Sequence, residues 1–257
     1  MSEVLLVLNA GSSSIKFALF EAHSQPTADH LICEGAISGI GHRAHFKATG
    51  RSGETLIDEH LPDGESTDDA MAALIAWIER GFPDQTLAAA GHRVVHGGAV
   101  YDGPVRVEPG VIEELRSFDS LAPLHQPHNL AAIEALAKLH PDLPQVACFD
   151  TAFHHRQPEV ATAFALPREL LEQGVRRYGF HGLNYQHVVE ALPQVSGKPL
   201  PPRPLDGQAI AIDSPADRRE TLATNASLVE RVHNMLAVSG RRMMTPAEYR
   251  ADVLGRA

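Results

Sequence analysis

An α/β fold is predicted by three features of this chain. Two apolar segments, 4–8 and 15–20, flank a polar turn close to the start and read as strands. Helical periodicity follows, first in Met71, Leu74, Ile75 and Ile78 and again in Leu130, Ile133, Leu136 and Ala137. A strand at 145–149 then ends on Asp150, and ligands of open α/β sheets bind at such strand tips. The 257 residues suffice for one large domain or two smaller ones, and 44% hydrophobic content is ordinary for a globular protein.

The elements follow in order. Residues 4–8 are an unbroken apolar run and predict a buried strand. Asn9-Ala10-Gly11-Ser12-Ser13-Ser14 is the turn, and 15–20 the second strand. Short β segments are expected at 31–37, 44–49 and 54–60, separated by glycine-containing turns. Thr67-Asp68-Asp69 reads as a capped helix start, and Gly81 as its stop. Residues 87–90 lead into Gly91-His92-Arg93-Val94-Val95-His96-Gly97-Gly98, a strand ending in a glycine loop. Helices are expected at 111–118, 127–139, 167–173 (closed by Gly174) and near 184–191. Pro193, Pro199, Pro201, Pro202 and Pro204 then interrupt any helix or central strand, and the stretch reads as a linker. Beyond it, Ser214-Pro215 opens a helix with Leu222, Ala226, Val229, Val232 and Leu236 on one face. Thr245-Pro246-Ala247-Glu248 opens a last short one.

A formal net charge of −10 argues against a general nucleic-acid binder, while leaving room for local basic patches and anionic nucleotides. Cys33 and Cys148 sit in apolar strand contexts and are expected to be buried free thiols. The start lacks a basic n-region and no segment is long and apolar enough to span a membrane, so a cytoplasmic protein is expected. Fifteen histidines include His125-x-x-His128 and His154-His155, but they are scattered and no recognised zinc ligand set accompanies them.

Five segments carry chemistry. The turn at 9–14, with Lys16 just beyond it, offers backbone N–H groups, hydroxyls and one positive charge, as phosphate oxygens require. It reads equally well as a plain Gly/Ser hairpin turn, and it lacks the Walker spacing. Arg93, between a strand and two glycines, suits a carboxylate or phosphate, or else a surface ion pair. Pro123-Leu124-His125-Gln126-Pro127 is a rigid loop before a helix. Asp150 is a strand-tip carboxylate or an ordinary N-cap, and His181 lies beside glycines in a turn. Together they supply a lysine, an arginine, a carboxylate and a histidine, a set suited to phosphoryl transfer.

These segments resemble the acetate kinase (acetokinase) family in order and spacing. The resemblance runs over Val-Leu-Asn9-Ala-Gly-Ser-Ser-Ser-Ile-Lys16-Phe, Gly-His-Arg93-Val-Val-His-Gly-Gly, Ala-Pro-Leu-His125-Gln-Pro, Phe-Asp150-Thr-Ala-Phe-His and Arg-Arg-Tyr-Gly-Phe-His181-Gly, across roughly 4–190. It implies an actin-like ATPase (ribonuclease H-like) N-terminal α/β domain with an incomplete second α/β domain. The boundaries would be 1–150 for the first domain, 151–198 for the start of the second, and 199–257 for an unmatched proline-led helical tail. It also implies ATP/ADP as co-substrate, Mg2+, acetate or acetyl phosphate, and a homodimer in the intact family. By the same resemblance Asn9 would contact magnesium and Lys16 the nucleotide, with Ser12 and Ser14 near the phosphates. Arg93 would bind the acetate or acetyl-phosphate oxygens, Asp150 would be the catalytic carboxylate, and His181 would stabilise the transferring phosphoryl group. Val95, Leu124 and Phe180 would line the pocket for the methyl group, with His125 also at the substrate. One methylene in such a pocket is worth only about 1–3 kcal/mol, so a propionate kinase is the neighbouring reading.

Two departures from the family pattern shape the expectation. Gly182-Leu183-Asn184-Tyr185 stands where the family shows Gly-Thr-Ser-His, so Tyr185 replaces a histidine. Residues 191–257 carry no counterpart of the family's His-x-Gly-Asn-Gly loop, second arginine segment, Phe-Thr-Gly-Gly-Ile-Gly-Glu-Asn motif or late glutamate. The chain is therefore expected to be far less active than an intact family member and to self-associate. The alternative in a different class is a non-catalytic remnant that binds anions or pairs with a full subunit.

Overall fold

A computed structural model describes residues 2–23, 26–62 and 66–196. The helices expected beyond 214 lie outside the described residues. The first half is one mixed sheet. β1 (Ser2–Ala10) and β2 (Ser14–Glu21) form the opening hairpin, and β3 (Leu31–Ser38), β4 (His45–Gly50) and β5 (Thr55–His60) continue it as an antiparallel meander. The helix α1 (Thr67–Gly81) crosses to β6 (Gln85–Val94), which pairs parallel with β1. After β7 (Val105–Arg106), α2 (Pro109–Arg116) and α3 (Gln126–Leu139), β8 (Gln145–Phe149) pairs parallel with β6. The strand order is β5-β4-β3-β2-β1-β6-β8-β7.

Alternation along β1 explains which face is covered. Val4, Leu6, Leu8 and Ala10 are buried in a core shared with Ala70, Met71, Leu74, Ile75 and Ile78 of α1 and with Ala132, Ala135 and Leu136 of α3. Val7 and Asn9 point the other way and are exposed, Val7 by 45%. The apolar run thus differs from the expected fully buried strand, because both helices pack on one face. Trp77 of α1 seats itself edge-on against Phe17 (5.9 Å) and Phe46 (5.2 Å), which locks helix to sheet. A second cluster of Val94, Leu115, Leu130, Ile133, Ala147 and Phe149 joins β6 and β8 to α2 and α3.

Helix α1 is capped one residue earlier than the sequence predicts. Ser66 is the N-cap: its hydroxyl accepts from the Asp69 N–H at 3.2 Å, and the Asp69 carboxylate takes the Ser66 N–H at 2.9 Å. Beyond β8 come α4 (Glu159–Thr162), α5 (Arg168–Glu172) and α6 (Gly182–Ser196). The last is longer than expected and contains Pro193. Proline at that place removes one N–H bond in the final turn, a loss the helix absorbs because only three residues follow.

β1, β6 and β8 run parallel, so Ala10, Val94 and Phe149 finish at one end of the sheet. Carboxyl ends of strands diverge and leave a crevice, so the fold makes this end the place for a ligand.

Candidate functional site

Arg93 and Asp150 meet at that end. Arg93 lies on β6 opposite Cys148 of β8, and Asp150 is the first residue past β8. The Asp150 N–H donates to the Val94 carbonyl at 3.0 Å, which fixes the carboxylate beside the strand tip. Asp150 Oδ2 accepts from Arg93 Nε at 3.1 Å and from Nη2 at 2.6 Å. The Asp150 side chain is 5% exposed and that of Arg93 26%. These bonds use two of the guanidinium's five N–H donors, so the fork keeps donors for an anion.

His181 joins the pair, its Nδ1 lying 3.5 Å from Asp150 Oδ2 while the ring stays 72% exposed. Its backbone is held in the left-handed region, at φ 55°. The next residue explains why. The Gly182 N–H donates to the Asp150 carbonyl at 2.8 Å, and a Cβ on Gly182 would run into that carbonyl oxygen and lie 2.7 Å from Phe153 Cβ. Only glycine lets the chain approach β8 this closely and launch α6 from there.

The opening turn stands on the neighbouring strand. Asn9 and Lys16 are directly opposed across the β1–β2 hairpin and both exposed, and the Gly11 N–H closes the turn onto the Ser14 carbonyl at 2.8 Å. Ser12 is exposed and Ser14 half-buried. The β1–β6 ladder ends at Leu8↔His92, and the next residues on the two strands are Asn9 and Arg93, both on the open face. The turn, the arginine and the carboxylate therefore share one end and one face of the sheet.

The loop after Arg93 is held from behind. Val95 is buried, and its N–H donates to Asn129 Oδ1 at 2.9 Å. The His96 ring is buried against Tyr178 (4.4 Å between centroids) and Phe180 (5.5 Å). Its Nδ1 accepts from the Gly98 N–H at 2.9 Å, and burial holds its pKa below the ordinary histidine value. Gly98 has φ +61°, and a Cβ there would come 2.5 Å from the Phe118 ring. Gly97 N–H donates to Thr151 Oγ1 at 3.0 Å, binding the loop to the residue after Asp150.

The expected acyl-pocket residues differ in burial. Phe180 is 37% exposed and Leu124 74%, and His125, the N-cap of α3, is exposed. Gln126 and Thr151 stand inside segments singled out from the sequence but were given no role of their own, and Asn129 lies outside them. The signal was available for two of them, since Gln126 and Asn129 fall on the apolar stripe of α3 that carries Leu130 and Ile133. Magnesium takes few protein ligands and keeps waters and phosphate oxygens, so it needs no protein cage. The described residues hold no group of three His, Cys, Asp or Glu able to grip a metal, and the exposed Asn9 carboxamide fits such a sparse role. Among the described residues no helix is long and apolar enough to cross a membrane.

Residues 4–203 match the acetokinase family. An acetate kinase of Rhodopseudomonas palustris is 72% identical over 198 residues, which cover 77% of this chain and 50% of the relative. An acetate kinase of Nitrobacter hamburgensis is 47% identical over 195 residues, covering 75% of this chain and 48% of the relative. Among solved structures, a propionate kinase from Francisella tularensis matches with a TM-score of 0.66 at 33% identity, over 77% of this chain and 50% of that one. Porphyromonas gingivalis acetate kinase matches with a TM-score of 0.66 at 32% identity, over the same shares. The chain spans about half the length of the curated relatives it matches. With its eight-stranded sheet in the actin-like ATPase class and the family match over residues 4–203, the chain belongs to the acetokinase family.

Proposed function

We propose that this chain carries the carboxylate-binding half of a reversible phosphoryl transfer between ATP and acetate, giving ADP and acetyl phosphate. The observation that carries the reading is the meeting of Arg93, Asp150 and His181 at the tips of β6 and β8. The uncommitted donors of Arg93 bind the carboxylate or acyl-phosphate oxygens without releasing Asp150. Asp150, nearly out of solvent, is the catalytic carboxylate, and exposed His181 turns toward the phosphoryl oxygens. Lys16, with Ser12 and Ser14, meets the nucleotide phosphates on the same face. Magnesium, when bound, would neutralise phosphate charge, with Asn9 as its protein contact. Residues 1–150 act as the N-terminal domain and 151–198 as the start of the second. The chain resides in the cytoplasm. Tyr185, Val188 and Leu192, an exposed stripe of α6, favour self-association.

A second substrate follows from a specific observation. Val95 is buried, but Leu124 and Phe180 leave their side of the acyl pocket open, so this half sets no limit at acetate and admits propionate.

Hydroxamate formation from ATP, Mg2+, hydroxylamine and either acetate or propionate tests the reading on the purified chain. We expect turnover far below the ordinary value of about 10 s⁻¹, abolished by Asp150→Asn. Residues 191–257 show no counterpart of the family's second arginine, and lack of such a group costs about 10³–10⁵ in rate. A residual rate indifferent to Asp150→Asn would refute the catalytic assignment. Acetyl-phosphate binding without turnover would leave an anion-binding remnant. A rate within tenfold of the ordinary value would refute the expected deficit.

A further inference from the structure

The parallel ladder between β1 and β6 stops at Leu8↔His92, just before both strands reach the site. The Ala10 carbonyl and the Val95 amide lie past its end and need other partners. Asn129 supplies both: Oδ1 accepts from the Val95 N–H at 2.9 Å, and Nδ2 donates to the Ala10 carbonyl at 2.5 Å. A carboxamide offers the same donor and acceptor as a peptide unit. Here it acts as one rung of sheet between strands that have parted. Asn129 is 2% exposed, so water is not the alternative partner.

One helical turn earlier, Gln126 repeats the device on the next residue. Its Oε1 accepts from the His96 N–H at 3.2 Å, and its Nε2 donates to the His96 carbonyl at 3.1 Å and to the Leu115 carbonyl at 3.2 Å. Gln126 is fully buried. The first turn of α3 thus grips consecutive backbone groups at 95 and 96, and only Asn129 also reaches β1. Ala10 is the residue before the Gly11–Ser14 turn, and Val95 lies two past Arg93. The bridge therefore joins the two segments that carry the phosphate-side and carboxylate-side groups.

We propose that Asn129 is a positioning residue, whose buried carboxamide bridges the Ala10 carbonyl and the Val95 amide. The bridge sets the Ser12–Ser14 turn at a fixed spacing from Arg93, so that both engage one acyl phosphate. The ligand in this proposal rests on the function proposed above; the bridge does not. A plain apolar filler between α3 and the sheet would not make both backbone bonds, and a merely structural polar plug would not couple to Arg93.

Two measurements on the full chain decide it. The first needs no ligand: backbone amide hydrogen exchange in the wild type, Asn129→Ala and Asn129→Asp. Asn129→Ala removes both arms, whereas Asn129→Asp keeps the acceptor for Val95 and loses the donor to Ala10. We expect Asn129→Ala to speed exchange at both Val95 and Gly11 by about tenfold or more, with Phe46 in the distant β4 unchanged. Asn129→Asp should loosen Gly11 while sparing Val95, and it serves alone where the alanine variant does not fold. Equal loosening throughout the sheet, or no change at Gly11, overturns the bridge.

The second is calorimetric binding of acetyl phosphate to the wild type, Asn129→Asp, Arg93→Lys and the double variant. Each single change should weaken binding by about tenfold, and the double by little more than one of them, because both act through the same fork. Additive losses overturn the coupling. A wild type that fails to bind acetyl phosphate sinks the proposed function alone, with the exchange pattern still deciding the bridge.

Discussion

Removing Arg93 should destabilise the chain through the carboxylate it leaves behind. Asp150 is 5% exposed, and its Oδ2 takes two N–H bonds from Arg93. After Arg93→Ala, His181 alone among the described residues remains paired with that oxygen, at 3.5 Å and largely in solvent. Stripping one partner from a buried ion pair costs about 3–5 kcal/mol, because the surviving charge stays desolvated. Arg93 is itself 26% exposed, so water enters the vacated space and the loss should lie near the lower figure, about 3 kcal/mol. Asp150→Asn leaves a cation that solvent already reaches and should cost about 1 kcal/mol. The double variant removes both charges. Its loss should fall short of the sum of the singles by about 2 kcal/mol, since the stranded carboxylate is gone. Urea unfolding at pH 7.5 reads all three, with the midpoint shifting at constant slope. Strict additivity, or an Arg93→Ala loss under about 1 kcal/mol, would show that the pair is solvated and the site open to water at Asp150.

Acid should weaken the fold through His92. Burial holds its pKa down from 6.5 to about 4, against a smaller pull from the Gln145 side chain, and burial also lowers His154. The unfolded chain binds the proton first, so this stability is full above about pH 7 and is lost as pH falls from 6.5 toward 4. His92 accounts for about 3 kcal/mol of it. Urea midpoints at pH 7.5, 5.5 and 4.5 should show the fall, and His92→Gln should flatten it; parallel curves for the two proteins would count against it. Gly182→Ala should cost about 1–3 kcal/mol by forcing a methyl against Asp150 and Phe153, while Gly103→Ala, with open space around it, should stay within about 0.5 kcal/mol. Equal thermal shifts would refute the close approach. Cys33, pushed up to about 12 by burial, and Cys148, raised for the same reason, should resist a thiol reagent until denaturant is added. Rapid labelling of Cys33 in the native chain would mean that the β2–β3 region opens.

Much of this architecture is legible in the sequence because local signals and tertiary demands coincide. The strand at 145–149 and the carboxylate following it stand where the apolar run and Asp150 place them. The hairpin at the start and the meander through 60 follow from short β-rich runs broken by turns. Other features depend on partners far along the chain. The two-residue β7 is too short to carry a period, and it exists only because Ala147 and Val146 of β8 lie beside it. That one face of β1 stays open cannot be read from five consecutive apolar residues, since the covering helices choose the face. Pro193 signals a break locally, yet α6 runs through it to Ser196. For the site, Arg93, Asp150 and His181 announce themselves as polar residues among strands and glycines. Asn129 and Gln126 are legible only as buried positions on the apolar stripe of α3, because the backbone groups they serve belong to strands far along the chain.

Binding and turnover place different demands on the residues at the strand tips. Arg93, Asp150 and the opening turn are brought together by β1, β2, β6 and β8, all within the first 150 residues. Their convergence rests on this sheet and the α3 amides behind it, so the anion affinity proposed above should follow from these elements. Catalysis asks for more. His181 is 72% exposed and Leu124 74%, so under the proposed roles the described residues leave both positions open to water. Oriented groups that act as a unit lose their effect together when some are missing. Binding should therefore persist in this chain where turnover does not.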